Sequence, residues 1–89
     1  MTIARRKHRR CVICGSTRRV QRHHLCGRNL IAWFTCLLCG EHHDRLHALL
    51  CQAGVDLRFT SDPIERIRRA LAAIKVFEWM LLEKLKYLL

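Results

Sequence analysis

The hydrophobic rhythm of the chain changes several times along its length. Residues 20–24 and 33–38 are short β-compatible runs, joined by a polar loop that contains Gly27, Arg28 and Asn29, and together they predict a hairpin. Residues 41–53 carry Leu46, Leu49 and Leu50 at helical spacing, with Gly54 where the glycine that stops a helix is expected. Residues 55–59 alternate apolar and polar positions and predict a short strand. Ser61-Asp62-Pro63 then reads as a helix start, with a capping residue followed by a proline whose fixed φ suits the first turn. Beyond it, Ile64, Ile67, Leu71, Ile74, Leu81, Leu85 and Leu88 form one stripe, which Val76, Phe77, Trp79, Met80 and Leu82 widen. One small domain does not need all of that surface, so this long C-terminal helix is expected to pack on the core or to form a homodimer or partner-protein interface. Lys75, Glu78, Glu83, Lys84 and Lys86 interrupt it, and a membrane span needs about 20 predominantly apolar residues, so no membrane partner is expected. The predicted class is a small α+β fold.

Size makes a staple necessary. A chain of 89 residues forms one domain and removes only about 60% of its extended surface from water, which leaves a marginal core. Six cysteines offer either disulfides or a metal site. Residues 1–10 are basic and lack the apolar segment of an export signal, so the expected location is cytoplasmic and reducing, where thiols stay free to bind metal.

The net charge of +10 is concentrated at one end: the first 30 residues hold nine Arg or Lys and no acid, while the rest hold eight bases and seven acids. Such a field attracts a polyanion, and nucleic acid is the commonest. Residues 1–10 read as a flexible basic arm, residues 11–54 as the chemical core, and residues 55–89 as the short strand and long helix.

Cys11-Val-Ile-Cys14-Gly is a knuckle, with two thiolates two residues apart that can converge on one ion. Two overlapping second pairs have zinc spacing, Cys36-x-x-Cys39 and Cys39-x-x-His42. Cys36 would lie inside the second strand, whereas Cys39 and His42 lie at the turn into the helix, where a tetrahedral site ties hairpin to helix. Cys39 with His42 is therefore favoured, and Cys36 is the alternative to His42. Cys26 and Cys51 have no partner at ligand spacing and are expected to serve packing.

Five of the six histidines fall between residues 23 and 47. His43 and His47 are four apart, so on a helix they share a face and can bind one metal. Cys11-x-x-Cys14, Arg22-His23-His24-Leu25-Cys26-Gly27-Arg28-Asn29 and Leu38-Cys39-Gly-Glu-His42-His43-x-x-x-His47 together resemble the HNH nuclease family over about half the chain. The resemblance implies a zinc-stapled ββα-metal fold, treble-clef-like, in which a hairpin and a helix hold one divalent ion against a scissile phosphate. By position, His23 resembles the metal ligand that ends the first strand, His24 the general base, His43 the helix ligand and His47 a further metal-contacting histidine. Asn29 takes the place of the family's asparagine, although it stands ten residues before Cys39 and nearer the histidine pair. Adjacent strand residues point to opposite faces, so His23 and His24 can serve one site only if the strand ends or bulges there.

The function so implied is metal-dependent hydrolysis of DNA phosphodiester bonds, nicking as a monomer. The cofactors would be a structural Zn²⁺ and a catalytic divalent ion (Mg²⁺, Mn²⁺, Ni²⁺ or Zn²⁺). Arg5, Arg6, Arg9, Arg10, Arg18, Arg19, Arg22 and Arg28 would grip the DNA phosphates. The alternative is a noncatalytic zinc-stapled module that binds nucleic acid.

Overall fold

A computed structural model describes residues 9–89 of the chain. Strands β1 (Gln21–His24) and β2 (Thr35–Leu38) form the hairpin, helix α1 (Gly40–Gln52) follows directly, and helix α2 (Pro63–Leu88) closes the chain. The strands pair antiparallel, with Gln21 opposite Leu38, Arg22 opposite Leu37, His23 opposite Cys36 and His24 opposite Thr35. Both histidines lie within the unbulged ladder, and beyond it the Leu25 amide still donates to the Phe34 carbonyl at 3.0 Å, so the strand end or bulge that would turn His23 and His24 to one site is not found between them. Trp33 lies outside β2 and is 82% exposed, so the second strand is shorter than its apolar run suggests.

The Cys11–Cys14 knuckle docks on the hairpin edge, where the Val12 amide donates to the Leu37 carbonyl at 2.9 Å. One residue separates β2 from α1: Cys39 caps the helix, and its sulfur accepts the His42 amide. At the other end of α1 the Val55 amide donates to the Leu50 carbonyl and the Gly54 amide to the Cys51 carbonyl, both at 3.1 Å. This is a Schellman stop, and Gly54 supplies the left-handed residue it needs, at φ +70°.

Residues 55–59 form no strand, contrary to their alternation. The Asp56 side chain accepts the Arg58 amide at 2.9 Å and its guanidinium at 3.0 and 2.9 Å, so the segment's polar groups are engaged locally in a turn rather than in a ladder. Leu57 instead packs across the hairpin loop at Gly27, where an added Cβ would come within 3.2 Å of the Leu57 Cβ.

The core lies between the hairpin, α1 and one face of α2. Leu38, Leu46, Val76 and Cys26 are the largest of its fully buried side chains. The Cys26 thiol donates to the Ala70 carbonyl at 3.6 Å, which fits a packing role. Cys51 has no such role, because it lies exposed in the last turn of α1. From α2 the buried residues are Ala70, Ala73, Val76 and Met80. The Ala70 carbonyl meets Cys26 of the hairpin loop, and Arg45 of α1 pairs with Glu83 of α2 at 2.7 Å. The long stripe from Ile64 to Leu88 is not the core face: Ile64, Ile67, Leu71, Leu81, Leu85 and Leu88 are all exposed. Among the described residues, no helix is long and apolar enough to cross a membrane.

Candidate functional site

Two constellations of ligand-type side chains lie at the two ends of the first turns of α1. The first is Cys11, Cys14, Cys39 and His42, whose ligand atoms all lie within 4.8 Å of one another. Cys14 Sγ is 3.9 Å from Cys39 Sγ, and His42 Nδ1 is 3.7 Å from Cys11 Sγ and 3.3 Å from Cys39 Sγ. With Zn–S near 2.3 Å and Zn–N near 2.0 Å, a tetrahedron sets S···S at about 3.8 Å and S···N at about 3.5 Å, so the spacing of this group fits a zinc ion. The Ile13 and His42 amides donate to Cys11 and Cys39 sulfurs at 3.4 and 3.5 Å, as expected where sulfur is to carry negative charge. Burial alone would raise the Cys11 thiol, but hydrogen bonds from the backbone of Cys39, Cys14 and Ile13 hold it below its ordinary value. Cys14 is raised, by burial and by the neighbouring Cys11 and Cys39 sulfurs.

Cys36 is outside this group. It sits inside β2 opposite His23, and burial, with the Cys11 sulfur adding to it, pushes its thiol up to about 11. The ligand atoms that gather within 4.8 Å are those of Cys11, Cys14, Cys39 and His42, and Cys36 is not among them, so the geometry favours His42 over Cys36.

The second constellation is histidine. His23, from β1, stacks on His43 of α1 with ring centroids 3.8 Å apart and planes 20° from parallel. His47, one turn further along α1, meets His43 edge-on at 4.4 Å. Two residues on one helix face and one on the strand that packs there are thus gathered, as their spacing suggests. Their donor atoms do not form a set as tight as the Cys-His group. Imidazole lone pairs lie in the ring plane, so a stacked pair must rotate about its side-chain torsions before both rings can address one ion.

Burial first, and then the neighbouring His43, His47 and His24, hold the His23 imidazole below its ordinary 6.5. His47 is lowered too, by burial and by His43, with Asp44 opposing. Both are therefore neutral at pH 7, the state a metal ligand needs. The Nδ1 of His43 lies 3.3 Å from the Asp44 carboxylate, which favours the proton on that nitrogen and leaves Nε2 free as a donor. Asp44 escapes a reading by ligand spacing because its contact is with the neighbouring His43 ring.

His24 ends β1 opposite Thr35, and pleat alternation places its Cβ on the face opposite that of His23. Asn29 is exposed in the hairpin loop, and among the described residues no hydrogen bond joins it to His24. The geometry thus gives Asn29 no part in orienting that imidazole.

Of the basic residues, Arg5 and Arg6 lie outside the described residues, as does most of the basic arm. Arg9, Arg10, Arg18, Arg19, Arg22 and Arg28 are all exposed. Arg10 donates to the Gly15 carbonyl at 3.1 Å and Arg22 to Thr35 Oγ1 at 3.2 Å, which fixes both near the knuckle and hairpin. Arg19 differs from the rest. Its φ of +51° puts a non-glycine residue in the left-handed region, which costs about 1–3 kcal/mol. Its guanidinium lies directly over Gly40, in the space an added Cβ would occupy. A cation at a helix N-terminus opposes the helix dipole, so this placement does not serve helix stability. It serves the surface: Arg19, Gly40 and Asp44 line two adjoining hollows, one of about 230 Å³ reaching His23 and His43 and one of about 350 Å³ reaching Arg18 and Ser16. No spacing rule links residues 19 and 40, so the sequence carries no signal for this contact beyond a glycine at a helix start.

The chain's likeness to known proteins adds nothing to this geometry: no family model matches it, and no curated protein or solved structure matches it either.

Proposed function

We propose that this chain is a metal-dependent nuclease of the HNH type, a zinc-stapled ββα-metal domain that hydrolyses DNA phosphodiester bonds. The observation that carries the reading is the meeting of His23 from the hairpin with His43 and His47 from the following helix, beside a Cys-His group that ties the same two elements together. In this reading zinc is the structural ion on Cys11, Cys14, Cys39 and His42. A divalent ion held by His23, His43 and His47 would supply charge stabilisation at phosphorus and at the leaving 3′ oxygen, worth several kcal/mol.

The chain's own residues do the rest. His24 accepts the proton from the attacking water, a task for which an imidazole is suited near neutral pH. Asp44 holds the His43 ring in one tautomer. Arg19 and Arg18 contact phosphates next to the histidines, and Arg22 and Arg28 extend the basic surface along the hairpin. The products would carry 5′-phosphate and 3′-hydroxyl ends.

Incubating supercoiled plasmid with the purified chain and Mg²⁺, Mn²⁺, Ni²⁺ or EDTA tests this directly. Metal-dependent nicking that His24→Ala abolishes is the expected result. One observation favours a second reading, a noncatalytic zinc module that binds nucleic acid: the His23 and His43 rings are stacked rather than aimed at a common point. DNA binding without cleavage under every metal would establish that module in place of the nuclease.

A further inference from the structure

Helix α2 has two apolar faces, and only one of them is used by the core. Ala70, Ala73, Val76 and Met80 turn inward, whereas Ile64, Ile67, Leu71, Leu81, Leu85 and Leu88 are between 43% and 67% exposed. Together with Glu78 and with Ile74, which is half-buried where the stripe borders the core face, these six are spaced alternately three and four residues apart over the whole helix. That is the a/d pattern of a coiled coil, a narrower and more regular seam than packing on a globular core requires.

Two features of the stripe select what covers it. The first is symmetry: turning α2 end for end about Val76 lays Ile64 on Leu88, Ile67 on Leu85, Leu71 on Leu81 and Ile74 on Glu78. The helix is therefore complementary to itself in the antiparallel sense. The second is charge. Glu78 is the one charged residue on the seam, and side-by-side parallel pairing would bring it against its own copy, two like charges at an apolar surface. Antiparallel pairing sets it beside Lys75 of the other copy instead. Both residues are exposed, and among the described residues neither makes an ion pair within its own chain.

We propose that α2 pairs antiparallel with α2 of a second copy of this chain, with Lys75 and Glu78 exchanging charge across the twofold axis. The 26-residue helix is about 39 Å long, and covering its stripe on both copies removes on the order of 1,000 Å² from water, at the lower edge of a specific interface. The pairing requires nothing of the histidines and stands whether or not the chain cuts DNA.

Sedimentation equilibrium of the full chain at tens of micromolar reads the outcome. The expected mass is twice 10.5 kDa. Leu71→Asp, at an exposed position, is expected to give a monomer with unchanged helical circular dichroism and bound metal. Lys75→Glu and Glu78→Lys should each weaken the dimer roughly tenfold, and the two together should restore it, because antiparallel pairing sets each reversed charge against the other. A monomeric parent chain overturns the proposal, as does a dimer that survives Leu71→Asp. Failure of the double reversal to improve on either single variant overturns the antiparallel register, since parallel pairing leaves like charges facing each other in every case.

Discussion

Cys39 does three things within one residue of the hairpin: it ends β2, caps α1 through its sulfur and faces Cys14 across the Cys-His group. Cys39→Ser is therefore expected to lose bound metal by elemental analysis and to unfold, since structural zinc contributes on the order of 10 kcal/mol to the folding of such small domains. Cys36→Ser, by contrast, should keep a full complement of metal. Gly40 offers a sharper separation of stability from function. The Arg19 guanidinium occupies the space a Cβ would fill, and it is the end of a flexible side chain that can swing away. Gly40→Ala should thus leave the melting temperature within the shift that about 1 kcal/mol produces. In the same variant DNA binding should weaken, with the slope of log affinity against log salt reduced by about one, as for Arg19→Ala. An unchanged salt slope in both variants would remove Arg19 from the DNA surface. The knuckle was legible because ligand spacing is local, two intervening residues in both Cys11-Cys14 and Cys39-His42. The Arg19–Gly40 contact was not, because it joins residues that only the hairpin brings together.

The elements show the same division. The hairpin, the helix after it and the capped start of α2 follow from local chemistry: strand-compatible runs, a Schellman glycine and an Asp62 side chain that accepts the Ile64 amide at 3.0 Å. The segment 55–59 does not, since its alternation matches a strand, and among the described residues no strand pairs with it. Its geometry rests on Asp56, which holds Arg58 at 2.9 Å and Arg69 of α2 at 3.6 Å. The hydrogen bonds from Arg58, side chain and then backbone, hold the Asp56 carboxyl well below its ordinary 3.8. A depressed folded value means that the pair's contribution is fully present above about pH 4 and is lost as the pH falls through the folded value. Asp56→Asn should accordingly lower stability near neutrality and make little difference once the pH has fallen below the folded value, so that the acid limb of its stability-against-pH curve is flatter than the parent's. The α1–α2 contact carries more weight: Leu46 is fully buried there, and Leu46→Ala is expected to cost about 2–5 kcal/mol in chemical denaturation.

At the scale of the whole molecule, a small core is held by few elements, so the Cys-His group and the α2 face act together. Chelation should melt the hairpin and α1 as one unit, read as loss of helical signal that stoichiometric zinc restores. A domain of this size that cuts as proposed would carry two hydrolytic sites in the paired state, and nicking by the Leu71→Asp monomer would show that each site works alone. Sequence by itself determined the hairpin and the two helices in their order, the Cys11, Cys14 and Cys39 ligands with His42 favoured over Cys36, and the clustering of histidines on one helix turn, because backbone periodicity and ligand spacing are short-range properties. It also contained the stripe on α2, but not which way that stripe faces. Only the tertiary structure decided that: the face of Ala70, Ala73, Val76 and Met80 meets the core and most of the larger Ile and Leu side chains of the stripe stay outside, since burial depends on how α2 is laid against the other elements. The same packing set Arg19 over Gly40 and His23 against His43, contacts that depend on how a strand and a helix meet rather than on any pattern within either.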